Sequence, residues 1–130
     1  MSKSSTKFSS IAPIAVTMGE PAGVSGEILL KSWERRKQDS LSPFYVIDDI
    51  ERLATLIKKL GFTTPLQLIE KACEATTCFD NALPVKPIKL RAKVTPGSPS
   101  LENCKGVIES IDLAIRAALN KEASAMVTGP

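Results

Sequence analysis

The residues with the clearest potential for chemistry lie in one short loop near the start of the chain. A short apolar segment rich in β-forming residues, residues 13–18, leads into this loop, which contains Gly19, Glu20, Pro21 and Gly23. The glycines give the backbone conformational freedom, and the proline fixes one φ angle between them. A carboxylate in such a turn requires a cation, a donor-rich ligand or solvent. Glu20 therefore indicates either a ligand-binding loop at the carboxyl end of a strand or a plain surface turn.

The side chains that most often perform catalysis are scarce in this sequence. It contains no histidine, which excludes serine–histidine and cysteine–histidine catalysis by this chain alone. Gly19, Gly23 and Gly26 have the spacing G-x3-G-x2-G, which is neither the dinucleotide fingerprint nor a P-loop. The three cysteines show no CxxC spacing, so they indicate neither a zinc site nor a disulfide framework. They fit a reducing compartment, and we expect a cytoplasmic protein.

Composition narrows the class of protein further. With 43% hydrophobic and 24% charged residues in a chain of 130, the sequence is typical of one soluble globular domain. The net charge of +3 comes from scattered lysines and arginines without interleaved aromatic residues, which disfavours nucleic-acid binding. No apolar run of about 18 residues occurs, so we expect no membrane contact. Residues 1–10, rich in Ser and Lys, are expected to be a disordered tail.

Short apolar runs predict the strands that would position the loop. The five predicted strands are residues 13–18, 44–47, 66–69, 83–90 and 123–127. Pro84 and Pro87 are expected to confine the fourth of them to a sheet edge or to an irregular position. Because helical patterns separate most of these strands, the sequence predicts an α/β fold with a parallel sheet.

Three helices are predicted between the strands. Ser25 is expected to cap the first, while Asp48 or Asp49 caps the second, which stops at Gly61. The third helix is predicted over residues 101–120. It is expected to turn one apolar face to the core, formed by Val107, Ile108, Ile111, Ala114, Ile115, Ala118 and Leu119.

Two regions of the sequence also carry the signatures of a known family. The first is residues 14–24 (IAVTMGEPAGV), followed by Glu27 and Ile28. The second includes Pro96-Gly97, Ser100, Glu102-Asn103, Val107-Ile108, Ser110-Ile111 and Ala114, and closes with Val-Thr-Gly-Pro at residues 127–130. In order and spacing these regions resemble the 4-hydroxythreonine-4-phosphate dehydrogenases of pyridoxal phosphate biosynthesis. The resemblance covers essentially everything after residue 10.

The chain departs from the family pattern in detail and in length. Where the family commonly has Gly-Ile-Gly-Pro-Glu, residues 23–27 read GVSGE, and Cys104 replaces a glycine. Family members are well over twice as long, and their lysine-bearing helix, Gly-His-Thr segment and three metal-binding histidines would lie beyond Pro130. We therefore expect residues 11–130 to be the N-terminal part of an α/β dehydrogenase, truncated after the Thr-Gly-Pro turn.

The resemblance implies a fold and an activity. The fold is the three-layer architecture of the isocitrate and isopropylmalate dehydrogenases, of which this chain would form a partial N-terminal sheet-and-helix segment. The activity is the NAD-dependent oxidation and decarboxylation of 4-phosphohydroxythreonine to 3-amino-2-oxopropyl phosphate. A divalent metal (zinc, magnesium or cobalt) would polarise the oxygen that is oxidised. The resemblance also implies a homodimer in which the partner subunit completes the cleft.

In this chain the resemblance implies cleft-lining residues but no catalytic and no metal-binding residue. The cleft-lining residues are Gly19, Glu20, Pro21, Gly23, Thr128, Gly129 and Pro130. We expect the chain alone to bind neither NAD nor metal and to be inactive. Two alternatives stay open: a free-standing, non-catalytic α/β binding module or gene remnant, and a related dehydrogenase that acts on another four-carbon acid phosphate.

Overall fold

The computed structural model describes residues 11–130, so the predicted tail, residues 1–10, lies outside the described residues. The described residues form one five-stranded sheet whose strands all pair in parallel. The strands are β1 (Ile14–Thr17), β2 (Phe44–Asp48), β3 (Leu66–Leu68), β4 (Leu83–Pro87) and β5 (Ala125–Val127). Their order across the sheet is β3-β4-β2-β1-β5. The predicted α/β class with a parallel sheet is confirmed.

Helices cover both faces of the sheet, which gives three layers. The helices are α1 (Ser25–Glu34), α2 (Ile50–Leu60), α3 (Cys73–Cys78), a 3-10 helix (Leu101–Asn103) and α4 (Cys104–Leu119). Helices α1 and α2 pack on one face, in a cluster that includes Leu30, Trp33, Phe44, Val46, Leu53 and Val85. Helices α3 and α4 pack on the other, in a cluster that includes Ala15, Tyr45, Ile47, Ala75, Ala114 and Ala117.

Helix α2 begins and ends where the sequence predicts. One carboxylate oxygen of Asp49 accepts hydrogen bonds from the backbone amides of Glu51, at 2.9 Å, and Arg52, at 3.3 Å. The other accepts from the Leu90 amide at 2.9 Å and so ties the helix start to the segment after β4. Gly61 ends the helix with a φ of 75°, a left-handed conformation that glycine adopts without steric cost.

The predicted cap of α1 is wrong. The helix begins at Ser25 itself, Val24 is the N-cap residue, and no side chain caps this end. Ser25 is buried, with its side chain packed beside Gly19 and Gly129 rather than turned toward the helix amides. Tertiary packing has therefore overridden the local preference of serine for the cap position.

Strand β4 is a regular interior strand, whereas its prolines predict an edge strand or an irregular position. It lies between β3 and β2. Pro84 precedes the ladder with β2, which starts at the pair Val85 and Val46, and Pro87 follows the ladder with β3, which ends at Val85. Successive residues of a parallel strand bond alternately to the two neighbouring strands. Each proline therefore faces a neighbouring strand at a point where that strand does not need a hydrogen bond from its backbone nitrogen.

The predicted core face of α4 is also wrong in three of its seven members. The residues buried against the sheet are Gly106, Ser110, Ala114 and Ala117. Three of the large apolar residues predicted to be core, Ile108, Ile115 and Leu119, are exposed. Small side chains let this helix lie close to the sheet, and a Cβ on Gly106 would stand 2.7 Å from Leu90 Cδ2. Close packing, rather than hydrophobicity alone, selects the face.

Candidate functional site

The loop after β1 and the turn after β5 meet at one edge of the sheet. Strands β1 and β5 are parallel neighbours, so their carboxyl ends lie side by side. The Glu20 amide donates a hydrogen bond to the Pro130 carbonyl oxygen at 3.1 Å. The structure thus brings together the two predicted groups of cleft-lining residues: the signature loop, residues 19–23, and the Thr-Gly-Pro turn, residues 128–130.

The signature loop is held by its own backbone and by the Glu20 side chain. Gly19 has a φ of 65°, in the left-handed region that favours glycine. Oε1 of Glu20 accepts a hydrogen bond from the Ala22 amide, and the Glu20 carbonyl oxygen accepts one from the Gly23 amide, both at 2.9 Å. The Glu20 carboxylate, which the sequence suggests as a ligand-binding group, therefore accepts a hydrogen bond from its own turn.

Ser25 fills the space between the signature loop and the Thr-Gly-Pro turn. A Cβ on Gly129 would overlap Ser25 Oγ and lie 3.0 Å from Ser25 Cβ. A Cβ on Gly19 would lie 2.7 Å from both Ser25 Cβ and the Pro130 carbonyl oxygen. Both positions consequently require glycine.

A third segment reaches the signature loop from the region between β4 and α4. The Gly97 amide donates a hydrogen bond to the Ala22 carbonyl oxygen at 2.8 Å, and Gly97 has a φ of 76°. Asn103 anchors this segment, because its side chain bonds to the Ala92 amide at 2.9 Å and to the Ala92 carbonyl oxygen at 3.2 Å. Gly97 and Asn103 belong to the second region of resemblance, so both regions converge at this site.

A buried ion pair lies next to the signature loop, at the end of β2. Arg52 donates from Nη2 to Asp48 Oδ2 at 2.7 Å and from Nε to Asp48 Oδ1 at 3.0 Å. Burial raises the pKa of the Asp48 carboxyl above its usual range, and the charge of Arg52 opposes that rise. Nη1 of Arg52 lies 3.5 Å from the Pro21 carbonyl oxygen. A Cβ on Gly26 would stand 3.0 Å from the same nitrogen, so the glycine leaves room for the arginine.

Ser110 supports the site from the α4 face of the sheet. Its fully buried hydroxyl accepts a hydrogen bond from the Met18 amide at 3.0 Å and donates one to the Ile47 carbonyl oxygen at 2.9 Å. It therefore fixes the backbone just before the signature loop. Sequence reasoning assigned Ser110 no role, although the residue stands in the second region of resemblance.

The described residues offer no evident metal site. Within residues 11–130 there is no group of three or more His, Cys, Asp or Glu side chains that could hold a metal ion. The donor set present here does not fit a metal centre, so no reaction step is assigned to a metal in this chain. Over the same residues, no helix is both long enough and apolar enough to cross a membrane.

A parallel sheet with loops converging at its carboxyl edge is the arrangement in which α/β enzymes bind ligands. No family model matches the chain. The chain is 39% identical over 122 residues to a 4-hydroxythreonine-4-phosphate dehydrogenase of Methylorubrum extorquens. It is 35% identical over 118 residues to the enzyme of the same name from Zymomonas mobilis. Each alignment covers 91% of this chain and 34% of the relative.

Solved structures agree with the sequence relatives. A 4-hydroxythreonine-4-phosphate dehydrogenase from Burkholderia phymatum superposes with a TM-score of 0.81 and 25% identity over 92% of this chain and 36% of its own. The enzyme from Klebsiella pneumoniae gives a TM-score of 0.78, covering 92% of this chain and 37% of its own. This chain is therefore a relative of the 4-hydroxythreonine-4-phosphate dehydrogenases, as its signatures predict. It spans about a third of the length of the curated relatives it matches.

Proposed function

We propose that this chain forms the N-terminal third of an NAD-dependent 4-hydroxythreonine-4-phosphate dehydrogenase and lines one wall of its substrate cleft. One observation carries the proposal. Two segments far apart in sequence, the signature loop and the Thr-Gly-Pro turn, are joined by the hydrogen bond between Glu20 and Pro130. They meet at the carboxyl edge of a parallel sheet, where open α/β sheets bind ligands. We place the whole enzyme in the cytoplasm as a homodimer.

The chain's own contribution to the reaction is binding and positioning. In the whole enzyme, NAD takes up the hydride removed from the substrate. Thr128, which is exposed, offers a hydroxyl at the edge of the turn, while Gly19 and Gly129 leave room for Ser25 to hold the two segments together. The Asp48–Arg52 ion pair and Ser110 hold the loop in place from beneath. General acid–base chemistry and metal binding are assigned to the part of the enzyme outside this chain.

A chimera provides the test of this function. The matched third of the Methylorubrum extorquens enzyme would be replaced by this chain, and NADH formation measured with NAD, 4-phosphohydroxythreonine and a divalent metal. We expect the chimera to turn over the substrate, because the two matched segments share a fold and a site. The 130-residue chain alone is expected to give no signal above a metal-free control.

The controls make either result informative. The unaltered Methylorubrum extorquens enzyme gives the reference rate, and circular dichroism shows whether the chimera is folded. A folded chimera without turnover would contradict the proposal. Turnover by the isolated chain would contradict the view that this chain supplies only one wall of the cleft.

A further inference from the structure

The segment that follows β4 carries positive charge without any acidic residue. Residues 81–101 contain neither aspartate nor glutamate. Within this stretch Lys89, Arg91 and Lys93 stand at every second position, and all three are exposed. We call these three residues the cationic strip. Because no carboxylate is interleaved with them, the charges of the strip add together over a short length of chain.

The residues between the members of the strip are anchored in the fold. Ile88 and Leu90 are buried in the cluster beneath α4. The Leu90 amide donates a hydrogen bond to the Asp49 carboxylate at 2.9 Å. The Asn103 side chain bonds to both the amide and the carbonyl oxygen of Ala92. This alternation of anchored and exposed residues presents the three cations on a fixed backbone, which lowers the ordering cost of binding a ligand.

Two of the three cations form no ion pair with a carboxylate of residues 11–130. Lys89 Nζ lies 2.8 Å from Glu51 Oε2, in a pair that is exposed to solvent. The ion pairs of the described part of the chain include neither Arg91 nor Lys93. An anion that binds these two side chains therefore displaces no carboxylate from them.

The cationic strip lies beside the candidate site, at the carboxyl edge of the sheet. It begins two residues after the end of β4 and leads to Gly97, whose amide bonds to the Ala22 carbonyl oxygen in the signature loop. Four residues separate Lys93 from Gly97, and four residues of chain span at most about 14 Å. The Cα atoms of successive strip residues lie at most about 7 Å apart. Long side chains at this spacing can reach the same phosphate group or two adjacent ones.

We propose that the cationic strip binds phosphate groups at the rim of the substrate cleft and draws a phosphate-bearing reactant toward the signature loop. The proposal rests on the proposed function, in which both the substrate and NAD carry phosphate. The guanidinium of Arg91 matches phosphate with two parallel hydrogen bonds, and the ammonium of Lys93 adds a point charge. The strip touches no reacting atom. It therefore acts on encounter and binding rather than on the chemical step.

The experiment compares two double variants of the chimera that remove the same charge. The first combines Arg91→Gln with Lys93→Gln. The second, its matched control, combines Lys58→Gln with Lys59→Gln. The control lysines are also exposed, but they lie in the last turn of α2, about 14 Å along that helix from its start at the carboxyl edge.

We expect the variant of the strip to raise KM about threefold to tenfold at an ionic strength of about 0.01 M, with kcat unchanged. At about 1 M the rise should be less than about twofold, because the Debye length falls from about 30 Å to about 3 Å. The control variant should change neither constant. Such a split between KM and kcat, together with its salt dependence, is not expected from a merely structural role.

Separate KM values identify which reactant the strip binds. A higher KM for 4-phosphohydroxythreonine assigns the strip to the substrate phosphate, and a higher KM for NAD assigns it to the pyrophosphate of the cofactor. An active chimera in which the strip variant changes neither KM would overturn the proposal. Equal rises for the strip variant and the control variant would overturn it as well, since they would reflect net charge alone.

Pyrophosphate binding to the 130-residue chain distinguishes failure of this proposal from failure of the proposed function. In an NMR titration of the unaltered chain, we expect pyrophosphate to shift the amides of residues 88–97. The variant of the strip should raise the Kd at least about fivefold, and the control variant should not. An inactive chimera with this pattern would contradict the proposed function and leave the anion site standing. An inactive chimera without amide shifts in residues 88–97 would overturn both.

Discussion

Replacing Arg52 with leucine is expected to lower the free energy of unfolding by about 3–5 kcal/mol, because the Asp48 carboxylate would stay buried without its cation. The two side chains form two hydrogen bonds, at 2.7 and 3.0 Å, and are only 8% and 1% exposed. Leucine preserves most of the apolar packing of the arginine stem. The loss of stability is therefore due mainly to the uncompensated charge of Asp48. Urea unfolding of the 130-residue chain near neutral pH measures it.

The pH dependence of this loss follows from the pKa of Asp48. Burial raises that pKa, and removing Arg52 takes away the charge that opposes the rise. A carboxyl whose pKa is higher in the folded state contributes stability below its unfolded pKa, and that stability is lost as pH rises through the folded value. The deficit of Arg52→Leu should therefore shrink as the pH is lowered.

Two further variants separate the buried charge from general damage. Lys89→Ala breaks the exposed ion pair with Glu51, 2.8 Å long, and is expected to leave stability unchanged because solvent screens that pair. Adding Asp48→Asn to Arg52→Leu should recover much of the loss, since no charge then remains buried. An Arg52→Leu chain as stable as Lys89→Ala would show that the buried pair does not hold the end of β2.

Replacing Gly129 with alanine is expected to destabilise the chain by about 1–3 kcal/mol, because the new methyl group would overlap Ser25 Oγ. In a Ser25→Gly background the same substitution should cost far less. The nearest remaining contact is then the Ser25 Cα atom, at an ordinary van der Waals distance of 3.8 Å. A double-mutant cycle by urea unfolding is expected to give a coupling of about 1 kcal/mol or more. Additive costs would contradict the contact between the start of α1 and the Thr-Gly-Pro turn.

The sequence predicts best those features that neighbouring residues determine. Asp49 caps α2 through amides two and three residues away, and Gly61 ends it through its own φ angle. The class of fold follows from the alternation of strand and helix patterns. The interior position of β4 cannot be predicted from neighbouring residues. The effect of Pro84 and Pro87 depends on which of the two adjacent strands each residue faces.

Long-range contacts explain where sequence reasoning about the site falls short. The signature loop and the Thr-Gly-Pro turn are recognisable from the family pattern, and the structure brings them together. The supporting roles of Ser110 and Arg52 carry no such signal. Ser110 belongs to the family pattern, but its hydrogen bonds to Met18 and Ile47 join residues far apart in sequence. Serine favours the cap position of a helix, but the packing of Ser25 against Gly129 overrides that preference.

The central claim is that the signature loop and the Thr-Gly-Pro turn line the substrate cleft, and kcat/KM of the chimera with Thr128→Val tests it most directly. Thr128 and Thr63 are both exposed, but Thr63 lies in the loop before β3, away from the site. We predict that Thr128→Val lowers kcat/KM about tenfold, as expected for one lost hydrogen bond to the substrate, with an unchanged melting temperature. Thr63→Val should leave kcat/KM unchanged. Equal kcat/KM for Thr128→Val and the unsubstituted chimera would contradict the claim.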